Sequence, residues 1–169
     1  MKTRIALLVL TLMLNLASFA ADSKPAASST NAATAFERLK TLVGEWEADT
    51  SMGKEHARFE LASNGHVIIE RSNGPEGDMT TTYYLDGDKI GATHYCALGN
   101  QPRLQASGIG GDGQIHFHFI AAANLQAGQP HIHDVAIRVQ DADHFSDEWV
   151  AFENGQPKMH VAGQYARVK

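Results

Sequence analysis

Cysteine is almost absent from this sequence, which has a single one, Cys96, in 169 residues. Exported proteins often depend on disulfide bonds for stability. One cysteine cannot form such a bond within its own chain. Burial of a hydrophobic core must therefore supply the stability of the fold.

Basic residues are also scarce, and they are scattered along the chain. Fourteen Lys and Arg stand against nineteen Asp and Glu, which gives a formal net charge of −5 at pH 7. Proteins that bind nucleic acids usually carry a basic patch or stripe. We therefore expect no nucleic-acid partner.

Several catalytic motifs are missing as well. The sequence has no phosphate-binding glycine loop, no Gly-x-Ser-x-Gly elbow and no His-Glu-x-x-His pair. The glycine-rich stretch 110–113 separates two predicted strands and precedes no helix, so we expect a turn there. We assign no catalytic residue from the sequence, and no particular cofactor is indicated.

A long hydrophobic run occurs only near the N-terminus. Lys2 and Arg4 precede an apolar run over residues 5–16, and the small residues Ser18 and Ala20 follow it. The run is shorter than the roughly 20 residues that a membrane span needs. The pattern predicts a signal peptide over residues 1–20, cleaved after Ala20. We expect a periplasmic or secreted protein with no membrane insertion after cleavage.

Two regions follow the predicted signal peptide. Residues 21–33 are small and polar with one proline, which is typical of a disordered tether. Residues 34–169 have the length of one ordinary domain. A 3/4 spacing of apolar residues predicts a helix over residues 34–43.

From residue 45 onward, short runs of β-branched and aromatic residues alternate with turn-forming residues such as Asp86-Gly87-Asp88 and Asn154-Gly155. The predicted strands are 45–51, 54–62, 66–73, 79–86, 89–97, 102–109, 114–121, 131–140, 143–153 and 157–168. Closing such a sheet removes its exposed edges. The fold class is therefore all-β, an up-and-down antiparallel barrel of about ten strands with a short N-terminal helix. A flat sandwich is the alternative.

Two short motifs at the ends of this domain carry a family resemblance. TLVGEWEAD (41–49) has Gly-x-Trp at the start of the first strand, and QYARVK (164–169) has Arg167 at the end of the last. The chain resembles the lipocalin-like (calycin) barrels and the small bacterial DUF1579 group of unknown function. More distantly, it is similar to nitrobindin and fatty-acid-binding barrels. The resemblance implies an internal cavity and an arginine stacked on Trp46, a cation–π contact of about 1 kcal/mol.

The Asp86-Gly87-Asp88 turn predicts which residues face inward. Odd-numbered residues before the turn share a face with even-numbered residues after it, and this face is the more apolar of the two. We therefore expect Tyr83, His94 and Cys96 to line the interior. The sequence favours His94 as a polar cavity residue, bonded to a ligand, a water or Tyr83, and Cys96 as a small buried hydrophobe. A Cys96–His94 nucleophile is the alternative.

The segment after this strand holds Asn100, Gln101 and Arg103 around a proline. One interpretation is a turn with a solvated arginine. The other places a cationic fork and two amides at the mouth of the barrel, where they hold the polar head of a ligand. On the strand 143–153, the apolar neighbours Val150 and Phe152 predict that Glu148 faces inward, which requires a partner for its carboxylate.

Two His-x-His pairs, IHFHF (115–119) and HIHD (131–134), suggest a metal site. In the register that matches the apolar faces, His116 and His118 lie on the polar face of Asp134 and Arg138. His131 and His133 then share the apolar, core-like face of Val135. We therefore predict a solvated histidine face and no metal site, with His131 and His133 near the rim of the pocket. A haem ligand among His94, His131 and His133 is an open alternative.

The sequence thus predicts an exported barrel that binds a small apolar or amphipathic molecule. The predicted ligand-binding residues are Tyr83, His94, Cys96, Asn100, Gln101, Arg103 and Glu148. A metal-binding or Cys/His-dependent enzyme is one alternative. A structural or interaction barrel whose interior is filled by side chains is another. The sequence leaves the oligomeric state undetermined.

Overall fold

The computed structural model describes residues 31–169. The predicted signal peptide (residues 1–20) and most of the predicted tether lie outside the described residues. The last three residues of that predicted tether, 31–33, belong to the helix α1, Asn31–Lys40. Within residues 31–169, no helix is long and apolar enough to cross a membrane.

Ten strands follow the helix and form a closed barrel in which each strand pairs antiparallel with the next. The last strand pairs with the first and closes the sheet. The strands are β1 Gly44–Thr50, β2 Gly53–Ala62, β3 Val67–Gly74, β4 Gly77–Asp86, β5 Lys89–Tyr95, β6 Gln101–Ala106, β7 Ile115–Ala123, β8 His131–Val139, β9 His144–Glu153 and β10 Gln156–Arg167. The predicted all-β up-and-down barrel is confirmed, and the sandwich alternative is wrong.

One end of the barrel is closed by Trp46 and the chain just before it. The Trp46 side chain is fully buried, and its indole N–H donates a hydrogen bond of 2.6 Å to the carbonyl of Leu42. The ring of Phe145 meets it edge-on, with 4.9 Å between centroids. Helix α1 packs at the same end, where Phe36 and Leu39 are buried in the core.

Arg167 stacks on this tryptophan, as the resemblance implied. Its guanidinium carbon lies 4.1 Å from the centroid of the Trp46 ring. The side chain also donates hydrogen bonds to the carbonyls of Thr41, Val43 and Ala142 at 2.9, 2.7 and 2.8 Å. Gly44 has a φ of +132°, and a Cβ there would stand only 2.5 Å from Nη1 of Arg167. The glycine of the Gly-x-Trp motif therefore makes room for the arginine.

The opposite end of the barrel is formed by the connections that follow β1, β3, β5, β7 and β9. No helix covers this end in the part of the chain that the structure describes. The strand register is interrupted between Ile132 and Asp134 on β8 and between Pro157 and Met159 on β10. Such bulges change which face a side chain occupies, and both lie close to this open end.

Candidate functional site

A cavity of about 380 Å³ opens at this end of the barrel. Its rim includes the exposed residues Glu76, Leu98 and Lys158, and its deeper wall includes the buried residues Glu70 and His94. It is lined by Glu55, Glu70, Ser72, Glu76, Met79, His94, Cys96, Ala97, Leu98, Pro130, His131, Ile132, Trp149, Ala151, Glu153, Lys158, Met159 and Val161. The cavity thus runs from solvent into the interior.

One wall of the cavity is apolar because of the alternation along β9. Phe145, Asp147, Trp149 and Ala151 point inward on this strand, whereas Glu148 is exposed. Trp149 lies opposite Val161 on β10, and both line the cavity. Together with Met79, Met159 and Ile132, they offer a hydrophobic surface to a bound molecule.

A buried carboxyl group, Glu70, lies deep in the cavity. The alternation of β3 points Ile68 and Glu70 inward, and Glu70 is only 4% exposed. The Tyr83 hydroxyl donates a hydrogen bond of 2.5 Å to Oε2 of Glu70. Burial raises the pKa of Glu70 to about 8, although the Tyr83 hydrogen bond opposes the shift.

A second buried carboxyl group, Asp147, lies on the facing side of the barrel. The indole N–H of Trp149 donates a hydrogen bond of 2.8 Å to its Oδ2. The backbone of Gly163 and the hydroxyl of Tyr165 also favour the ionised form of Asp147, and Tyr165 has the same effect on Glu55. Burial raises the pKa of Asp147 to about 7 and also raises the pKa of Glu55.

His94 is buried beside these carboxyl groups, with 3% of its surface exposed. Its Nδ1 lies 3.0 Å from the hydroxyl of Thr81, and Tyr83, one of the three predicted partners, bonds to Glu70 instead. Its Nε2 is buried without any partner among residues 31–169. Burial lowers the pKa of His94 to about 4, so the imidazole is neutral at pH 7. The ring lies 5.2 Å from that of Trp149.

The predicted inward face of β4 and β5 is confirmed. Tyr83 and His94 are buried, and Cys96 is half-buried and lines the cavity. Burial raises the pKa of the Cys96 thiol, whereas an activated nucleophile requires a lowered pKa. His94 bonds to Thr81 through Nδ1, and no hydrogen bond joins it to Cys96 among the described residues.

Asn100, Gln101 and Arg103 lie near the open end but do not line the cavity. The Asn100 side-chain amide is fully buried and donates to the carbonyl of Pro130 at 3.0 Å, while its Oδ1 has no partner among the described residues. Gln101 donates to the carbonyl of Gly99 and accepts from Asn124. Arg103 is exposed on the outer face of β6. The structure therefore matches the turn interpretation.

The expectation that Glu148 faces inward is wrong. Its side chain is 53% exposed, and its carboxylate lies 3.4 Å from Nε2 of His160 on the outside of the barrel. Each face of β9 carries two large apolar residues, and each carries an acid near the middle of the strand, Asp147 on one face and Glu148 on the other. Hydrophobic alternation therefore does not choose between the two faces. Pairing with β8 and β10 places Asp147, and not Glu148, inside.

The histidine pairs separate as predicted for β7. His116 and His118 lie on the outer face, at 2.7 Å from Asp112 and Asp134 respectively. No group of three or more His, Cys, Asp or Glu side chains within residues 31–169 has a geometry suited to a metal ion. On β8, His131 lines the cavity.

His133 lies elsewhere because of the β8 bulge. The irregularity between Ile132 and Asp134 turns Ile132 inward. His133 stacks on Phe152, with 3.9 Å between ring centroids, and on Phe119 at 5.3 Å. The expectation that His133 shares the core face of Val135 is wrong, because the extra residue reverses the alternation.

Comparison with known proteins supports the fold alone. No family model matches the chain, and no curated protein matches it. A solved structure of a DUF3598-family protein of unknown function from Nostoc punctiforme is similar, with a TM-score of 0.54 and 15% sequence identity. The match covers 77% of this chain and 48% of that protein. The chain thus spans about half the length of that protein, and the likeness supports the barrel fold alone.

Sequence reasoning did not identify the carboxyl groups of the cavity. The inward position of Glu70 could have been predicted. A two-residue turn at residues 75–76 pairs Glu70 with Thr81, and Thr81 was expected to face inward. Asp147 and Glu55 were less accessible to such reasoning. The β10 bulge between Pro157 and Met159 breaks the parity argument that the Asn154-Gly155 turn would otherwise support.

Proposed function

We propose that this protein is an exported binding protein that holds a small, mostly apolar ligand in the cavity of its barrel. The observation that carries this proposal is the cavity itself. Its volume of about 380 Å³ falls within the range of about 300–1,000 Å³ that is usual for small-molecule sites. Its apolar wall and few buried polar groups are also typical of such sites.

The lipocalin-like class is part of this proposal. Its support is the stack of Arg167 on Trp46 at the closed end and the meander order of the ten strands. The proposed likeness to the DUF1579 group is supported by the LVGEWE segment (42–47). The cavity at the opposite end of the barrel is consistent with ligand binding inside the barrel, as in other proteins of this class.

The geometry favours binding over a Cys/His-dependent reaction. The thiol of Cys96 has a raised pKa, and the nearby imidazole of His94 is bonded to Thr81. Neither condition for an activated nucleophile is met. The open space beside Ala151 and Val161 likewise favours a binding barrel over one filled by its own side chains.

A matched pair of substitutions tests the binding site. Ala151 is buried and lines the cavity, whereas Ala162 is exposed on the adjacent strand. Ala151→Phe fills the cavity, and Ala162→Phe adds the same group outside. Nile red, a neutral apolar dye, should become fluorescent on binding to the wild type and to A162F. Its fluorescence with A151F should be about tenfold lower. Equal dye binding by A151F and A162F, with both variants folded by circular dichroism, would contradict the proposal.

Native mass spectrometry of gently purified protein searches for a natural ligand. We expect an added organic mass that is lost on denaturation and weakened in A151F. One tightly held metal ion per chain and no organic mass would favour the metalloprotein alternative.

Export is tested by expressing the full chain in a Gram-negative host. We propose cleavage after Ala20, supported by the charged start and apolar run of residues 2–16. The intact mass of the protein released by osmotic shock should match a chain that begins at Ala21. Full-length protein retained in the cytoplasm would refute export.

A further inference from the structure

The interior of the barrel holds three acidic groups that have no basic partner among the described residues. Glu55, Glu70 and Asp147 are close enough that Glu70 is affected by the charges of both of the others. No cationic side chain within residues 31–169 pairs with any of these three carboxyl groups. Lys158 at the rim is already paired with Glu153 at 3.3 Å. A cation that enters the cavity would therefore stabilise the ionised forms of these groups.

The strand register places a second polar group in line with Glu70. Glu70 pairs with Thr81 on β4, and Thr81 pairs with His94 on β5. Neighbouring strands are about 4.8 Å apart, so Glu70 and His94 stand about 10 Å apart at the backbone on one wall. Their side chains project into the same cavity. The unpartnered Nε2 of His94 is an independent sign that a polar ligand atom belongs there.

We propose that the cavity binds a small organic amine, with its protonated nitrogen held by the Glu70 carboxylate and His94 Nε2 and its apolar body along Trp149 and Val161. This inference rests on the proposed binding function and specifies the class of ligand. An ammonium group has three donors and no acceptor, and every polar group named here is able to accept. His94 does so when its Nδ1–H donates to the Thr81 hydroxyl, which leaves a lone pair on Nε2.

The aromatic wall adds to this preference. Trp149 lies 5.2 Å from His94 between ring centroids, so an indole ring stands beside the proposed position of the cation. Tryptophan is the best aromatic partner for a cation. A carboxylate ligand would meet the opposite situation, because its charge would oppose the ionisation of Glu55 and Glu70 and would find no unpaired cation among the described residues that line the cavity. The cavity therefore selects against the anionic head group that a site built from Arg103 would have bound.

Binding of an amine also has a proton balance. Burial raises the pKa of Glu70 to about 8, so in the empty cavity at pH 7 this carboxyl group is mostly protonated. The ammonium ion keeps its own three protons and stabilises the carboxylate. The Glu70 proton then passes to the buffer. One amine bound should release up to one proton.

Isothermal titration calorimetry with three probes of equal length tests the inference. Hexylamine, hexanol and hexanoate have the same apolar body and differ in the head group. At pH 7 we expect hexylamine to bind about tenfold or more tightly than hexanol, and hexanoate to bind most weakly. Titration in two buffers with different ionisation enthalpies should show proton release with hexylamine alone.

Matched variants locate the head group. Glu70→Gln keeps the shape and the hydrogen-bond acceptor for Tyr83 but removes the charge. This substitution should weaken the affinity for hexylamine about tenfold and leave the affinity for hexanol unchanged. Glu148→Gln removes a carboxylate from the outside of the same barrel and should leave both unchanged. In ¹⁵N spectra, His94 should be the Nδ1–H tautomer, with an Nε2 signal that shifts when hexylamine binds.

The outcomes separate the two proposals. Equal affinity for hexylamine and hexanol would refute the amine while leaving the apolar cavity in place. Tighter binding of hexanoate would reverse the assigned charge preference and also refute it. Binding of none of the three, and of no Nile red, would refute the amine and the binding function together. The comparison of probes on the wild type decides the question even if Glu70→Gln fails to fold.

Discussion

The hydroxyl of Tyr83 donates a hydrogen bond of 2.5 Å to the carboxyl group of Glu70 inside the barrel. The two residues come from adjacent strands, β4 and β3, and both are almost fully buried. Among residues 31–169, this is the only side-chain hydrogen bond that Glu70 accepts. The pair therefore sets the position of the carboxyl group that we assign to ligand binding.

Removal of this donor should destabilise the protein. Tyr83→Phe leaves a buried carboxyl group without its partner, at a cost of about 1–3 kcal/mol in the free energy of unfolding. Tyr84→Phe is the control, because Tyr84 occupies the outer face of the same strand and should cost less than about 0.5 kcal/mol. Urea denaturation measures both. Equal stability of the two variants would show that the bond contributes nothing to the fold.

The stability of the empty protein should fall as the pH rises from 6 to 8. Burial raises the pKa of Glu70 to about 8 and that of Asp147 to about 7. Both groups therefore hold protons in the folded state that they have lost in the unfolded state. The stabilisation is complete below the ordinary pKa, which is 4.5 for Glu70 and 3.8 for Asp147. It is lost as the pH rises through the pKa that each group has in the folded protein. Glu55, Tyr83 and Tyr165 face these groups and add no positive charge.

Urea titrations at pH 6 and pH 8 test this dependence. Glu70 alone should account for a loss on the order of 2 kcal/mol over that interval. Glu70→Gln should flatten the profile, and Glu148→Gln should retain the wild-type slope. A wild-type stability that rises from pH 6 to pH 8 would contradict the raised pKa values. Saturating hexylamine should reduce the loss, because the bound cation stabilises the carboxylate.

Arg167 should contribute far more to stability than Arg103. Arg167→Ala removes a cation–π contact of about 1 kcal/mol together with hydrogen bonds to three carbonyl groups. We expect a loss of about 2–4 kcal/mol. Arg103 is exposed on the outer face, so Arg103→Ala should change stability by less than about 0.5 kcal/mol. The binding of dye and of hexylamine should be unaffected in R103A. A loss of binding in this variant would show that Arg103 contributes to the ligand site.

The single thiol reports on occupancy of the cavity. Cys96 lines the cavity, and burial raises its pKa. Its reaction with iodoacetamide at pH 7.5 should therefore be slower than that of free cysteine, about tenfold. Saturation with hexylamine should slow it further because the bound molecule covers the thiol. A rate equal to that of free cysteine, unchanged by hexylamine, would place Cys96 outside the site.

The sequence alone determined the strands and the closed end of this protein. A period of two between turn-forming residues such as Asp86-Gly87-Asp88 marks each strand, because alternate side chains on a strand face opposite sides. The same local rule placed Tyr83, His94 and Cys96 on one inward face. The Gly44-x-Trp46 motif and Arg167 are far apart in the chain, but the family resemblance linked them.

Only the tertiary structure decided the polar character of the cavity. Glu148 and Asp147 are adjacent, and the two faces of β9 are nearly equal in hydrophobicity, so pairing with β8 and β10 chose the acid that is buried. The bulge beside His133 reversed the facing of that residue, because one extra residue in a strand exchanges its two sides. Burial then raised the pKa values of Glu70 and Asp147 and lowered that of His94. Desolvation depends on everything that surrounds a group in space, and for this reason it cannot be read from neighbours in the chain.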